Sequence, residues 1–96
     1  MSQTTNDMTR IPSIPEGIAW RAYDGEVLVV SSDDAQVRTL SDVGSFAFER
    51  FDGRSDLSSV VVAITDEFDV TEETARTDLL AFAEDLHSRG LIVWTD

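Results

Sequence analysis

The chain contains no cysteine, so disulfides, thiol catalysis and most structural zinc sites are excluded. Lysine is also absent: all seven basic residues are arginine, set against 19 acidic ones for a net charge of −12. Such a field repels phosphate backbones and anionic lipid, so nucleic acid and membrane surfaces are poor partners. It suits a basic partner, or it is a solubility or salt adaptation with arginine in place of lysine. No apolar run approaches the ~20 residues of a membrane span, and the polar start MSQTTNDMTR has no signal-peptide core. A cytoplasmic location is the expectation. The five glycines are scattered, so there is no phosphate-binding loop. A single histidine, His87, leaves no imidazole pair for a metal, and the acidic runs lack calcium-loop spacing. No catalytic residue, metal site or cofactor is expected.

What is present is the composition of one small globular domain, 96 residues with 42% apolar content. Residues 1–10 read as a flexible tail and residues 11–96 as the domain. Ile11 to Gly17 carries two prolines that hold it extended, as a strap packing Ile11 and Ile14. Ile18 to Tyr23 alternates loosely, Asp24-Gly25 signals a tight hairpin, and Glu26 to Ser31 is a β-branched central strand. Ser32 to Ala35 makes a second turn, and Gln36 to Leu40 is a polar strand of the kind tolerated at an open edge.

Three helices follow. Ser41 caps the first, with Phe46, Ala47, Phe48 and Phe51 inward; Ser55 or Asp56 opens the second, with Leu57, Val60, Val61, Ile64 and Phe68 at helical spacing. The third starts after Thr71 and ends at Gly90 in a left-handed stop. Ala75, Leu79, Phe82 and Leu86 form its expected core stripe; Arg76, Leu80, Ala83 and His87 form the stripe beside it. Leu91 to Trp94 is a final extended piece packing on the sheet. The expected fold is α+β: a three-stranded antiparallel β-meander followed by three α-helices, resembling a winged helix-turn-helix. A DNA-reading role for that architecture is disfavoured because Thr71, Glu72, Glu73 and Thr74 occupy the positions where a recognition helix needs basic or amide side chains.

The run from Pro12 to Ile92 resembles the PqqD-like proteins, small peptide-binding domains also called RiPP recognition elements. The resemblance lies in Pro12 to Gly17, Asp24-Gly25, Leu40-Ser41-Asp42-Val43-Gly44, Phe48, Phe51-Asp52-Gly53, Asp69-Val70-Thr71, and then Ala75, Phe82, Leu86, Gly90 and Leu91. Ser41 stands where the family pattern has asparagine, and the strand before it lacks the usual aromatic.

The resemblance implies a non-catalytic adaptor. Such a protein binds the leader of a ribosomally made precursor peptide as an added strand and presents it to a maturation enzyme: a radical enzyme, cyclase, dehydratase or peptidase. Carried over by position, the strand wall is Gln36, Val37, Arg38, Thr39 and Leu40, and the helix wall is Arg76, Leu80, Ala83 and His87. Two other readings remain: a winged-helix DNA binder, and a protein–protein module docking through its acidic surface. The open edge strand allows a monomer or an edge-paired or swapped dimer.

Overall fold

The computed structural model describes residues 8–24, 26–30 and 37–95; the turn at Ser32 to Ala35, Gly25 of the first hairpin and Gln36 of the strand wall lie outside them. Within the described residues the strands are β1 (Pro12–Ser13), β2 (Ala19–Tyr23), β3 (Glu26–Val30), β4 (Val37–Thr39) and β5 (Val93–Trp94). The helices, all between β4 and β5, are α1 (Asp42–Phe48), α2 (Leu57–Glu67) and α3 (Glu72–Ser88). The meander is β2-β3-β4, antiparallel throughout, so the α+β expectation holds. Tyr23 pairs with Glu26 across the two-residue turn, and Asp24 takes φ 55°, the left-handed conformation a tight hairpin needs.

Each helix begins where a short polar side chain satisfies a free amide. Ser41 Oγ accepts from Gly44 N–H, Asp56 from Ser59 N–H, and Thr71 Oγ1 from Thr74 N–H. At the end of α3, Gly90 has φ 76°, Leu91 N–H donates to Leu86 O at 2.9 Å and Gly90 N–H to His87 O at 3.0 Å. This pair of bonds closes the helix and drives Leu91 into the core, where it is 1% exposed.

The core packs Val27 and Val29 of β3 against Phe48 of α1, Leu57, Val60, Val61 and Ile64 of α2, and Ala75, Leu79, Ala83 and Leu86 of α3. The C-terminal piece departs from its expected place. It does not join the meander: β5 pairs with β1 in a separate two-stranded sheet, Pro12 opposite Trp94, tying the two ends of the domain together. Pro12, rather than Ile11 or Ile14, is the fully buried strap residue. Residues before 11 also pack on the domain: Met8 is in the core cluster and Arg10 O accepts from Leu57 N–H at 3.1 Å.

One buried hydroxyl fixes the corner between sheet and helices. Leu40 N–H donates to Val27 O at 3.0 Å, but Val27 N–H donates to Ser45 Oγ at 2.8 Å, and that hydroxyl donates to Leu40 O at 3.3 Å. Ser45 thus relays what would be the last bond of the ladder, letting the chain turn from β4 into α1. Ser45→Ala strands the Val27 amide away from water and should cost about 1–3 kcal/mol. Urea unfolding measures it, and a loss below about 0.5 kcal/mol would contradict the relay.

Asp52, after α1, gives a smaller and pH-dependent effect. Its carboxylate accepts first from Arg54 N–H and then from Ser55 N–H, which lowers its pKa despite exposure. A depressed carboxyl pKa stabilises the fold above the unfolded value near 3.9 and loses that effect as pH falls through the folded value. Solvent screening keeps it below about 1 kcal/mol. The gap in melting temperature between the wild-type chain and Asp52→Asn is therefore expected at neutral pH and should close in acid; a gap independent of pH would exclude the ionised cap.

Candidate functional site

β4 is an edge of the sheet, with β3 on one side and no described strand on the other. Its backbone orientation follows from the register. Arg38 lies opposite Val29, and Leu40 N–H points at Val27 O. Peptide directions alternate along a strand, so Arg38 and Leu40 turn their amides and carbonyls toward β3, while Val37 and Thr39 turn theirs outward. The side chains alternate as well. Arg38, opposite the buried Val29, lies on the helical side of the sheet; Val37 (63% exposed) and Thr39 lie on the open side. β4 therefore offers two residues of free backbone for pairing and one guanidinium toward the helices.

Beyond the end of this strand is an apolar cavity of about 340 Å³. It is lined by Ser41 and by Val43, Gly44 and Ala47 of α1, by Thr74, Asp78, Leu79 and Phe82 of α3, and by Ile64 and Val70. Gly44 makes the close approach possible. A Cβ there would lie 3.3 Å from the Phe82 ring and 3.1 Å from Ser41 Oγ. A glycine inside a helix costs ~1 kcal/mol relative to alanine, and here it lets the aromatic ring lie against α1. Phe82 also meets Phe51 at 6.3 Å between centroids, so its ring is braced while remaining half-buried.

The predicted site residues fall into separate places. Val37, Arg38 and Thr39 form β4, and Leu40 follows it with its N–H on Val27 O. On α3 the burial differs from the expected stripes. Ala83 is 0% exposed and belongs to the core, and Phe82, assigned to the core stripe, is the residue that lines the cavity. Arg76, Leu80 and His87 are absent from the cavity wall. Arg76 pairs with Glu72 at 3.4 Å on the surface, Leu80 packs against the core, and the His87 ring meets Trp94 of β5 at 5.7 Å. The flank of α3 that meets the residues following β4 is the one carrying Thr74, Asp78 and Phe82. The residue that could have marked it is Gly44, a glycine in the first turn of α1 where a Cβ would crowd the Phe82 ring.

Among the described residues no group of three His, Asp or Glu is placed to hold a metal ion, and no helix is long and apolar enough to cross a membrane. The polar rim of the cavity consists of Ser41, Thr74 and Asp78.

The domain is thus a small α+β fold with an open strand edge and, after that strand, an apolar cavity between α1 and α3. Residues 26–92 match the sequence profile of coenzyme PQQ synthesis protein D (PqqD), and the chain belongs to that family. No functionally curated protein matches it.

Three solved structures share the fold. TbiB1 in complex with the TbiA(beta) leader peptide superposes with TM-score 0.76 at 24% identity, over 83% of this chain and 93% of that one. Lasso peptide synthetase B1 complexed with the leader peptide also gives 0.76, at 17% identity over 86% and 98% of the two chains. The PqqD truncation of Methylobacterium extorquens PqqCD, a stand-alone RiPP recognition element, gives 0.69 at 17% identity over 85% and 87%.

Proposed function

We propose that the protein is a non-catalytic adaptor that binds the leader of a ribosomally synthesised precursor peptide and presents it to a maturation enzyme. The observation that carries this reading is the outward-facing backbone of Val37 and Thr39 on an edge strand, with the Gly44–Phe82 cavity lined by the residues that follow that strand and by α3. The leader adds as a strand on β4. Its main chain bonds to Val37 and Thr39, giving affinity for any extended peptide, and one apolar side chain seats in the cavity, giving sequence choice. Arg38, on the helical side of the edge, pairs with an acidic leader residue. Family membership and the two leader-peptide complexes of the same fold support the assignment. The enzyme served is a radical enzyme, cyclase, dehydratase or leader peptidase.

The test is a titration with candidate leader peptides from neighbouring genes, followed by tryptophan fluorescence and calorimetry. A dissociation constant at or below the micromolar range, about −8 kcal/mol, is expected; binding no tighter than millimolar, about −4 kcal/mol, would end the adaptor reading.

A further inference from the structure

The meander has a second edge. In the order β2-β3-β4, β2 has β3 on one side and no described strand on the other. Which of its backbone groups are free follows from β3. Val27 O accepts from Leu40 N–H and Val27 N–H donates to Ser45 Oγ, so Val27 turns its backbone away from β2. Peptide directions alternate, so Glu26, Leu28 and Val30 turn theirs toward β2, where they meet Tyr23, Arg21 and Ala19. Trp20 and Ala22 are left with N–H and C=O groups pointing out of the sheet.

Little on this edge discourages pairing. Exposed edges are ordinarily blunted by brevity, proline, bulges or several charges. β2 runs five residues, pairs with β3 without a break in register, contains no proline and carries a single charge, Arg21. All five residues are exposed, and Trp20 (39%) and Tyr23 (69%) leave large apolar surface in water. The stretch from Gly17 to Tyr23 also has no carboxylate, in a chain whose net charge is −12. The sequence of β2, Ala-Trp-Arg-Ala-Tyr, is moreover complementary to itself when run antiparallel. With Arg21 on a two-fold axis, Trp20 falls opposite Ala22 of the second copy and Ala19 opposite its Tyr23, so each large side chain meets a small one. The outward groups of Trp20 and Ala22 then face each other as hydrogen-bonded pairs. Only Arg21 meets its own charge, which weakens the pairing and keeps it reversible.

We propose that β2 is a self-association edge, on which a second copy of this chain adds antiparallel about Arg21. The product is one continuous sheet in the order β4-β3-β2-β2-β3-β4, with a free β4 edge at each end. The proposal rests on the adaptor reading only in that those ends hold leaders, so that one dimer carries two.

The test is sedimentation velocity of the whole chain over about 5–500 μM, in about 0.3 M salt to screen the net charge. A reversible monomer–dimer equilibrium is expected, with a dissociation constant of about 10–100 μM, as suits a short interface. Arg21→Thr removes the facing charges and should tighten the dimer about two- to fivefold. Ala22→Pro, whose lost N–H serves no bond to β3, should weaken it at least about tenfold without lowering the thermal unfolding midpoint by more than a few degrees. Thr39→Pro, on the opposite edge, should leave the dimer intact. A chain monomeric throughout, a dimer loosened by Arg21→Thr, or a dimer lost in Thr39→Pro and kept in Ala22→Pro would overturn the proposal. Leader titration of the Ala22→Pro chain should match wild type, so failure of leader binding and failure of this edge are read separately.

Discussion

Thr39→Pro is expected to weaken leader binding about 30- to 100-fold while leaving the domain folded. The reasoning rests on which way one amide points. Thr39 N–H faces away from β3, so its removal costs no bond of the β3–β4 ladder, and proline is tolerated on an edge strand with its nitrogen outward. An added strand would lose a hydrogen bond there and meet the pyrrolidine ring in its path. Those losses come to roughly 2–3 kcal/mol, at 1.4 kcal/mol per factor of ten. Arg38→Pro is the informative contrast. Arg38 N–H faces β3, so proline there should damage the sheet itself. Calorimetric titration together with thermal unfolding separates the two. Unchanged affinity in a folded Thr39→Pro chain would mean that the peptide does not add to this edge.

Phe48→Ala should remove about 3–5 kcal/mol of stability, the largest loss expected from a single side chain here. Phe48 is 0% exposed, receives Trp20 of β2 edge-on at 5.3 Å, and meets Phe51 at 6.1 Å. It thus joins the sheet to the helical half, and few atoms nearby can collapse into the space it would leave. Domains of this size have roughly 5–10 kcal/mol in total, so the variant should be close to half unfolded under mild stress. With a urea slope of about 1 kcal/mol/M, the midpoint should fall by roughly 3 M or more. Tryptophan fluorescence should register the loss, because the Trp20 indole packs on the deleted ring. A midpoint shift below about 1 M would show that sheet and helices are held together elsewhere.

The meander and the helix starts could be read from local pattern because their causes are local. Asp24-Gly25 dictates a hairpin, Ser41, Asp56 and Thr71 each cap within three residues, and Gly90 ends α3 by its own backbone. The pairing of β1 with β5 joins two-residue segments some 80 positions apart, and segments that short carry no periodic signal. The Ser45 relay was hidden for a related reason: a serine inside a helix pattern reads as neutral until a strand brings the Val27 amide to it.

The candidate site was half legible. The polarity of Val37 to Leu40 marked an open edge. On α3 the burial of two neighbours ran against the expected stripes: Phe82 and Ala83 are adjacent, about 100° apart on the helix, and size favoured burying the phenylalanine more deeply. Packing went the other way. Ala83 is fully buried in the core, while Gly44 leaves room beside α1 for the larger Phe82 ring.

The central claim is that an extended leader adds to β4 and reaches into the Gly44–Phe82 cavity. The most direct test is an amide chemical-shift titration with candidate leader peptides from neighbouring genes. The account predicts the largest shifts in a continuous track through Val37, Thr39, Ser41, Gly44, Asp78 and Phe82, with Thr39 N–H newly protected from hydrogen exchange. Shifts centred instead on Arg76, Leu80 and His87, with β4 unperturbed, would contradict it.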